Sequence, residues 1–548
     1  PSDDAYRQFH TFTQELRLQG EAFDGKLDWL VGGFFANEKL TVRDNLRFGN
    51  QYGRFANCRI ISGGGLAFAY NPTAQSCITP SLRPTVSGAL GAAGPLIVSA
   101  FDRLDTMNNV GTTNDRYFQN GTNWALFTHN IVHITDTVNL TLGLRYTKDK
   151  KKFDATFGND NSICTANQAA LASLLTTPAA ATAGAVIGLS CQGNSTAELN
   201  GVSINDKRSE DQITGTAILS WKPIDDLLLY TSFARGYKAG GFNLDRSALK
   251  SPVPTFASLG GAQALVGNLQ FDPELVDSYE LGAKFSNGPF GLSVSAFRSD
   301  FSSFQLNTFN GTVFLVQNVN GCDNLVGGPN ADTDQNLSAA GTNFNAAPNT
   351  TGSCAAGDIT YGVRTQGLEL EASLTPARNF RMAAGLTYAK TTYRDDLIGT
   401  KNGAPLDSAL RKLPGDNLSN APEFVATSSV TWTPDIGSNG MSGLVYIDGR
   451  MTSDYNTGSD LFPQKEQDGF AVFNARIGLR GPDEAWGIEL WGQNIFNQDY
   501  AQVAFNSPFQ AGQSSAPFVD PQYPGGRQIF SQFLAEPRTY GITLRGKF

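Results

Sequence analysis

The stretch Arg538-Thr539-Tyr540-Gly541-Ile542-Thr543-Leu544-Arg545-Gly546-Lys547-Phe548 alternates without a break. Tyr540, Ile542, Leu544, Gly546 and Phe548 fall on one face, and Gly541, Thr543, Arg545 and Lys547 on the other, as the two-residue period of a strand requires. One face is apolar and the other charged. A soluble sandwich and a membrane barrel both accept such a strand, so its recurrence along the chain has to decide between them.

The same rhythm returns at 15–19, 27–35, 123–134, 138–146, 212–221, 227–238, 276–285, 290–301, 366–374, 380–390, 424–432, 442–450, 473–480 and 486–496. With the terminal stretch this predicts about 15 strands. About seven short turns, at Asp24-Gly25-Lys26 and Thr135-Asp136 among others, interleave with about seven long loops. A barrel that crosses a membrane has this asymmetry, because one rim carries tight periplasmic turns and the other extended extracellular loops. Glu15, Arg17, Arg145, Glu280, Lys284, Glu369, Glu371, Arg476, Arg480, Glu489, Arg545 and Lys547 share the parity opposite their strands' apolar residues. They are expected to line a lumen; the alternative is the solvated outer face of a soluble protein. Arg235 breaks the pattern by sharing a parity with Leu229 and Phe233.

Composition agrees. No composition shift divides the 548 residues into separate blocks, so 1–548 reads as one unit. Charged residues make up 17%, Gly numbers 58, and no apolar run approaches the ~18 residues a spanning helix needs. A net charge of -9 argues against nucleic acid as a partner.

Five stretches carry a resemblance: Phe12-Thr13-Gln14-Glu15-Leu16-Arg17-Leu18, Leu229-Tyr230-Thr231-Ser232-Phe233-Ala234-Arg235-Gly236-Tyr237-Lys238, Tyr279-Glu280-Leu281-Gly282-Ala283-Lys284, Thr365-Gln366-Gly367-Leu368-Glu369-Leu370-Glu371 and Trp491-Gly492-Gln493-Asn494-Ile495-Phe496-Asn497. In that order they resemble barrel segments of TonB-dependent outer-membrane receptors, and the closing Phe548 looks like that family's assembly signal. The resemblance implies an all-β transmembrane antiparallel barrel of about 22 strands in the bacterial outer membrane. It also implies an N-terminal plug with a TonB box. Its implied partners are the lipid bilayer, an extracellular metal chelate or glycan, the TonB complex through the plug, and the barrel-assembly machinery. The first turn is of the short periplasmic kind, so the first strand runs inward. An even strand number is required of a complete barrel. The expectation is therefore that 1–548 is the C-terminal portion, with the plug and the first strands absent.

All six cysteines lie in long loops and pair within them as Cys58 with Cys77, Cys164 with Cys191 and Cys322 with Cys354, which implies an oxidising compartment. Free thiols or metal ligands are the alternatives, although the spacings match no compact zinc pattern. His129 and His133 on one strand face stand about 13 Å apart, too far to share an ion. Asp323, Asp332 and Asp334 could hold calcium in a loop, or form a solvated acidic loop. Residues 169–189 read as a short loop helix or as flexible filler. No catalytic triad or phosphate cradle emerges, so neither an enzyme nor a cofactor is expected. Two functions remain: energised uptake of a scarce bulky ligand (iron-siderophore, cobalamin or oligosaccharide), or a plugless porin or surface-binding barrel. Tyr52, Arg54, Phe55 and Arg59 cluster in the first long loop as candidate ligand contacts, with self-packing of that loop as the alternative.

Overall fold

The computed structural model describes residues 5–45, 49–63, 65–109, 114–158, 162–191, 203–244, 269–309, 314–326, 353–399, 410, 413–506 and 530–547. Phe548, Asp332 and Asp334 lie outside them. Fifteen strands form one antiparallel path in strict chain order. They are β1 (Tyr6–Ala22), β2 (Leu27–Asp44), β3 (Asp115–Thr135), β4 (Val138–Thr156), β5 (Ser203–Ile224), β6 (Leu227–Lys238), β7 (Glu274–Asn287) and β8 (Phe290–Ser302), followed by β9 (Val363–Ala377), β10 (Phe380–Tyr393), β11 (Phe424–Trp432), β12 (Met441–Thr452), β13 (Phe470–Arg480), β14 (Trp486–Gln493) and β15 (Thr539–Gly546). A two-residue strand, Asp435–Ile436, adds to β12. Short turns and long connections alternate along the whole path. Among the described residues β1 pairs only with β2, and β15 only with β14.

Pairing register carries the two-residue period across the sheet. One row runs Gly33, Leu126, Tyr146, Ile213 over β2 to β5, and the next toward the short turns runs Val31, Thr128, Leu144, Gly215. Leu126, Leu144 and Ile213 remain 56–61% exposed, and Leu16, Leu281 and Leu544 elsewhere on this face 64–73%. Large apolar side chains left exposed on every strand of the path form a lipid-facing belt, not the surface of a water-soluble sheet. Aromatic pairs mark its upper limit: Phe12–Phe35, Trp124–Tyr146, Phe233–Tyr279 and Tyr388–Phe424, with ring centroids 4.8–6.4 Å apart. Trp221, Phe290, Trp432 and Trp486 mark the lower one, beside the short turns. From Trp432 to Phe424 is eight residues, which at ~3.3 Å each and a tilt of ~40° gives roughly 20 Å of height, the scale of an outer-membrane apolar band. Leu144→Arg, near the middle of that band, is expected to destabilise the folded protein by about 2–4 kcal/mol, whereas Thr141→Arg on the opposite face changes it by less than about 1 kcal/mol. Urea unfolding of both variants in lipid checks this, and equal losses would contradict the assignment of faces.

Strands β1 to β5 are 17 to 22 residues long, about twice what a bilayer needs. Beyond Tyr146 the polarity of β4 inverts. Phe153 and Ala155 now point inward into a cluster with Val42, Tyr117, Ile204 and Phe242, while Lys148, Lys150 and Lys152 point outward. Water has replaced lipid outside at this height, so the apolar residues turn to the interior. The expected strands 138–146 and 212–221 stop where this inversion begins. Arg235, the parity exception, sits one step above the Phe233–Tyr279 pair and forms a bidentate ion pair with Asp277 at 2.6 Å, at the level where polar headgroups take over from hydrocarbon.

Candidate functional site: the lumenal wall and the extracellular cap

The inward face is continuous. Arg17, Gly32, Phe127 and Arg145 form one row across β1 to β4, and Lys284, Ser293, Glu371, Gly385, Thr427 and Arg450 form another across β7 to β12. Glycine has a definite purpose in the first row: a Cβ on Gly32 would come within 2.3 Å of the Phe127 ring, which lies across it. The Arg145 guanidinium then stands 5.5 Å from the Phe127 centroid and 5.4 Å from that of Phe34, which holds a charge on the wall by cation–π contact. His129 and His133 also face inward, and His133 bridges Asp28 at 3.0 Å and Asn139 at 2.8 Å. Among the described residues no group of histidine, cysteine and acidic residues assembles a metal site.

Toward the short-turn rim the wall carries one deeply buried charge. Glu489 is fully buried and takes Arg476 at 3.0 Å, Arg480 at 3.2 Å and Arg545 at 3.8 Å. Gly478, its cross-strand partner, makes the room: a Cβ there would lie 2.9 Å from the Glu489 Cγ. Between β7 and β12 the wall flattens, because Gly291, Ser293, Ser373, Ala383, Gly385 and Ser429 project little. They leave a recess of about 670 Å³ that Lys284, Glu371, Arg381, Asp448 and Arg450 edge with charge.

Above the opposite rim two connections fold into one helical cap. The first, between β2 and β3, supplies α1 (Tyr52–Gly63), α2 (Arg83–Ala89) and α3 (Gly94–Asp105); the second, between β4 and β5, supplies α4 (Ser162–Leu171) and α5 (Ala180–Ser190). Of the two readings of 169–189, helix is the one observed. Ile61, Ile97, Phe101, Leu104, Leu171, Val186 and Ile187 share a single buried core. Polar ties join the two connections: Asn167 donates to the Ala100 carbonyl and to the Ser190 hydroxyl, and its own carbonyl accepts from Arg103. Cys58–Cys77 and Cys164–Cys191 are joined here, with Cα atoms 5.0 and 4.7 Å apart, and Cys322–Cys354 is joined in the loop between β8 and β9. Asp323 of that last loop pairs with Arg394 at 3.1 Å.

The four residues expected to contact ligand sit on α1. Tyr52 is buried and donates to the Leu189 carbonyl at 2.7 Å, and burial pushes its phenol far above the ordinary value. Arg54 holds Asp105 in a bidentate pair at 2.8 and 2.9 Å, and Phe55 packs against the cap core. Arg59 lies close enough for its charge to act on the Tyr52 phenol. The structure thus gives Tyr52, Arg54 and Phe55 internal packing contacts. Burial acts to raise the Asp105 carboxyl, but hydrogen bonds and charge from Arg54, with help from Ser76 and Asn57, outweigh it and hold the group below the usual carboxylate range. A depressed folded-state value means the contribution is present above the unfolded value near ~3.9 and lost as pH falls through the folded one. Asp105→Asn should loosen the cap by about 2 kcal/mol at pH 7 and should remove its loosening below about pH 4. Hydrogen exchange of α1 and α3 against pH checks both; an unchanged acid response in the variant would contradict it.

Residues 1–495 match the sequence profile of the family described as TonB dependent receptor-like, beta-barrel. The fold is similar to that of the ferric yersiniabactin uptake receptor FyuA from Yersinia pestis, at TM-score 0.57 and 15% identity over 99% of this chain and 54% of that one. It is also similar to the siderophore receptor PiuA from Acinetobacter baumannii, at TM-score 0.52 and 15% identity over 98% of this chain and 56% of that one. The ferric-catecholate import receptor Fiu from E. coli K12 follows at TM-score 0.50 and 14% identity, over 98% and 54%. The chain therefore spans about half the length of the solved receptors it matches. With the profile covering most of its residues and a sheet whose outer face is apolar on every strand, this chain belongs to the TonB-dependent receptor family, in the region of that family's β-barrel.

Proposed function

We propose that this chain forms most of the barrel of an energised outer-membrane receptor that takes up a scarce, bulky ligand from outside the cell. An iron-siderophore, cobalamin and an oligosaccharide are the candidates, and the named uses of FyuA, PiuA and Fiu favour a ferric siderophore. The carrying observation is the recess of about 670 Å³ on the lumenal wall, which the protein's own side chains leave unfilled. A low wall of Gly, Ser and Ala with charges at its edge suits the surface of a folded plug better than a water-filled pore. The plug and about seven further strands, which would bring the total to about 22, are supplied by sequence upstream of Pro1 in this reading. Barrel assembly in the bilayer and coupling to TonB follow from the same reading.

The test is uptake in iron-starved cells that depend on this receptor alone. Ferric siderophore accumulation should fall at least tenfold when TonB is removed. Uptake that persists without TonB, together with entry of small hydrophilic dyes, would instead identify a plugless pore.

A further inference from the structure

Inward and outward charges on the upper parts of β2 to β5 are treated differently. On the inner face Lys151 pairs with Asp149 at 2.8 Å, and Arg208 with Glu210 at 2.7 Å. On the outer face one register row reads Lys39, Asn120, Lys152, Lys207, with Lys150 one row lower. All four lysines are exposed, and none has an ion pair among the described residues. Lys152 and Lys207 are direct cross-strand partners, a placement that repels when nothing neutralises it. Lys148, lower still, is the outward lysine with a partner, Asp211 at 2.9 Å. Asp154 stands on the same face above the row, toward bulk water.

Height identifies what meets these lysines. The row lies four residues above Trp124, ~13 Å along the strand and roughly 10 Å above the aromatic limit of the hydrocarbon belt at a ~40° tilt. It is on the same face as Leu126 and Leu144 and directly over the Trp124–Tyr146 pair. A molecule seated on the row has its lower part against that belt. From Lys39 to Lys207 is three strand spacings, ~14 Å, wide enough for more than one anionic group.

We propose that Lys39, Lys150, Lys152 and Lys207 form a docking strip on the barrel's outer wall for the phosphorylated headgroup of an outer-leaflet glycolipid. The acyl chains lie on the apolar belt below, the phosphates neutralise the Lys152–Lys207 repulsion, and the long hairpins that carry the cap are braced from outside. The strip makes no use of the lumen and is independent of which ligand is transported.

Native mass spectrometry of the full-length protein, incubated with a bis-phosphorylated glycolipid or its dephosphorylated form, tests the strip directly. The wild type should retain the phosphorylated lipid. The Lys39→Gln/Lys152→Gln/Lys207→Gln variant should retain at least tenfold less, and Lys222→Gln at the opposite rim as much as wild type. Equal retention of the dephosphorylated lipid overturns the proposal. So does full competition by millimolar inorganic phosphate, which would make free phosphate the ligand. A folding defect is separated by a second readout: Lys207→Gln should raise the thermal midpoint in lipid-free detergent by relieving repulsion, and should lower it relative to wild type once the lipid is added. A change of one sign in both conditions contradicts the assignment. Because both readouts are made on purified protein, a negative result leaves the uptake experiment unaffected.

Discussion

Residues 1–548 produced alone will not become a closed, heat-resistant barrel in lipid. The sheet ends on β1, 17 residues long, and on β15, 8 residues long, and neither outer edge has a partner among the described residues. Each backbone N–H or C=O left unpaired in hydrocarbon costs several kcal/mol, so two membrane-deep edges together exceed the stability of an ordinary domain. Semi-native gel migration and conductance in planar bilayers provide the measurement. The expected result is migration that heating does not change and no discrete channels, with heat-dependent migration gained when strands that complete the barrel are supplied. Cysteines introduced at Leu16 and Ile542 add a positional check. If they cross-link in residues 1–548 alone and the product resists heating, the two edges meet each other and the account of a larger barrel fails.

Removing Glu489 should have the largest effect of any single substitution on the wall. Three arginines from β13 and β15 converge on this one fully buried carboxylate. Glu489→Ala leaves their charges facing one another over a cavity, and the expected loss is about 3 kcal/mol, at the lower end for a broken buried pair because the guanidiniums are partly exposed. Arg545→Gln removes the most distant and most exposed partner and should cost less than about 1 kcal/mol. Urea unfolding of the assembled protein distinguishes the two, and similar small losses for both would mean that lumenal water already screens the cluster.

The period of two was legible because lipid and lumen impose opposite demands on neighbouring residues. Within the apolar band nothing else competes with that demand, so residues 138–146 could be assigned face by face from sequence, and the order of strands followed from turn length. The alternation of short turns and long loops needs no tertiary information, since it reflects which rim of the membrane the chain is on. Above the band the same rule misleads. At Lys148 to Ala155 the outside becomes water and the inside a protein core, so the alternation persists with its polarity reversed, and expected strands ended some ten residues early.

The cap was likewise hidden. Its helices bury their apolar residues against a connection about a hundred residues away, so neither of the two loops shows in isolation the core that both complete. Tyr52 and Arg54 have the composition of ligand contacts, yet Tyr52 is buried and donates to Leu189 while half-exposed Arg54 is held by Asp105, neighbours that only the folded cap brings beside them. The sequence by itself determined the strand-and-turn architecture of the barrel wall, the faces of cleanly alternating strands such as 138–146 and the paired cysteines, because these follow from local periodicity and local loop closure, whereas the face of Arg235 on 227–238 did not. Tertiary structure alone decided which charges share a register row, as with Glu489 under its arginines and Lys152 beside Lys207, because register is a relation between strands that no single strand encodes.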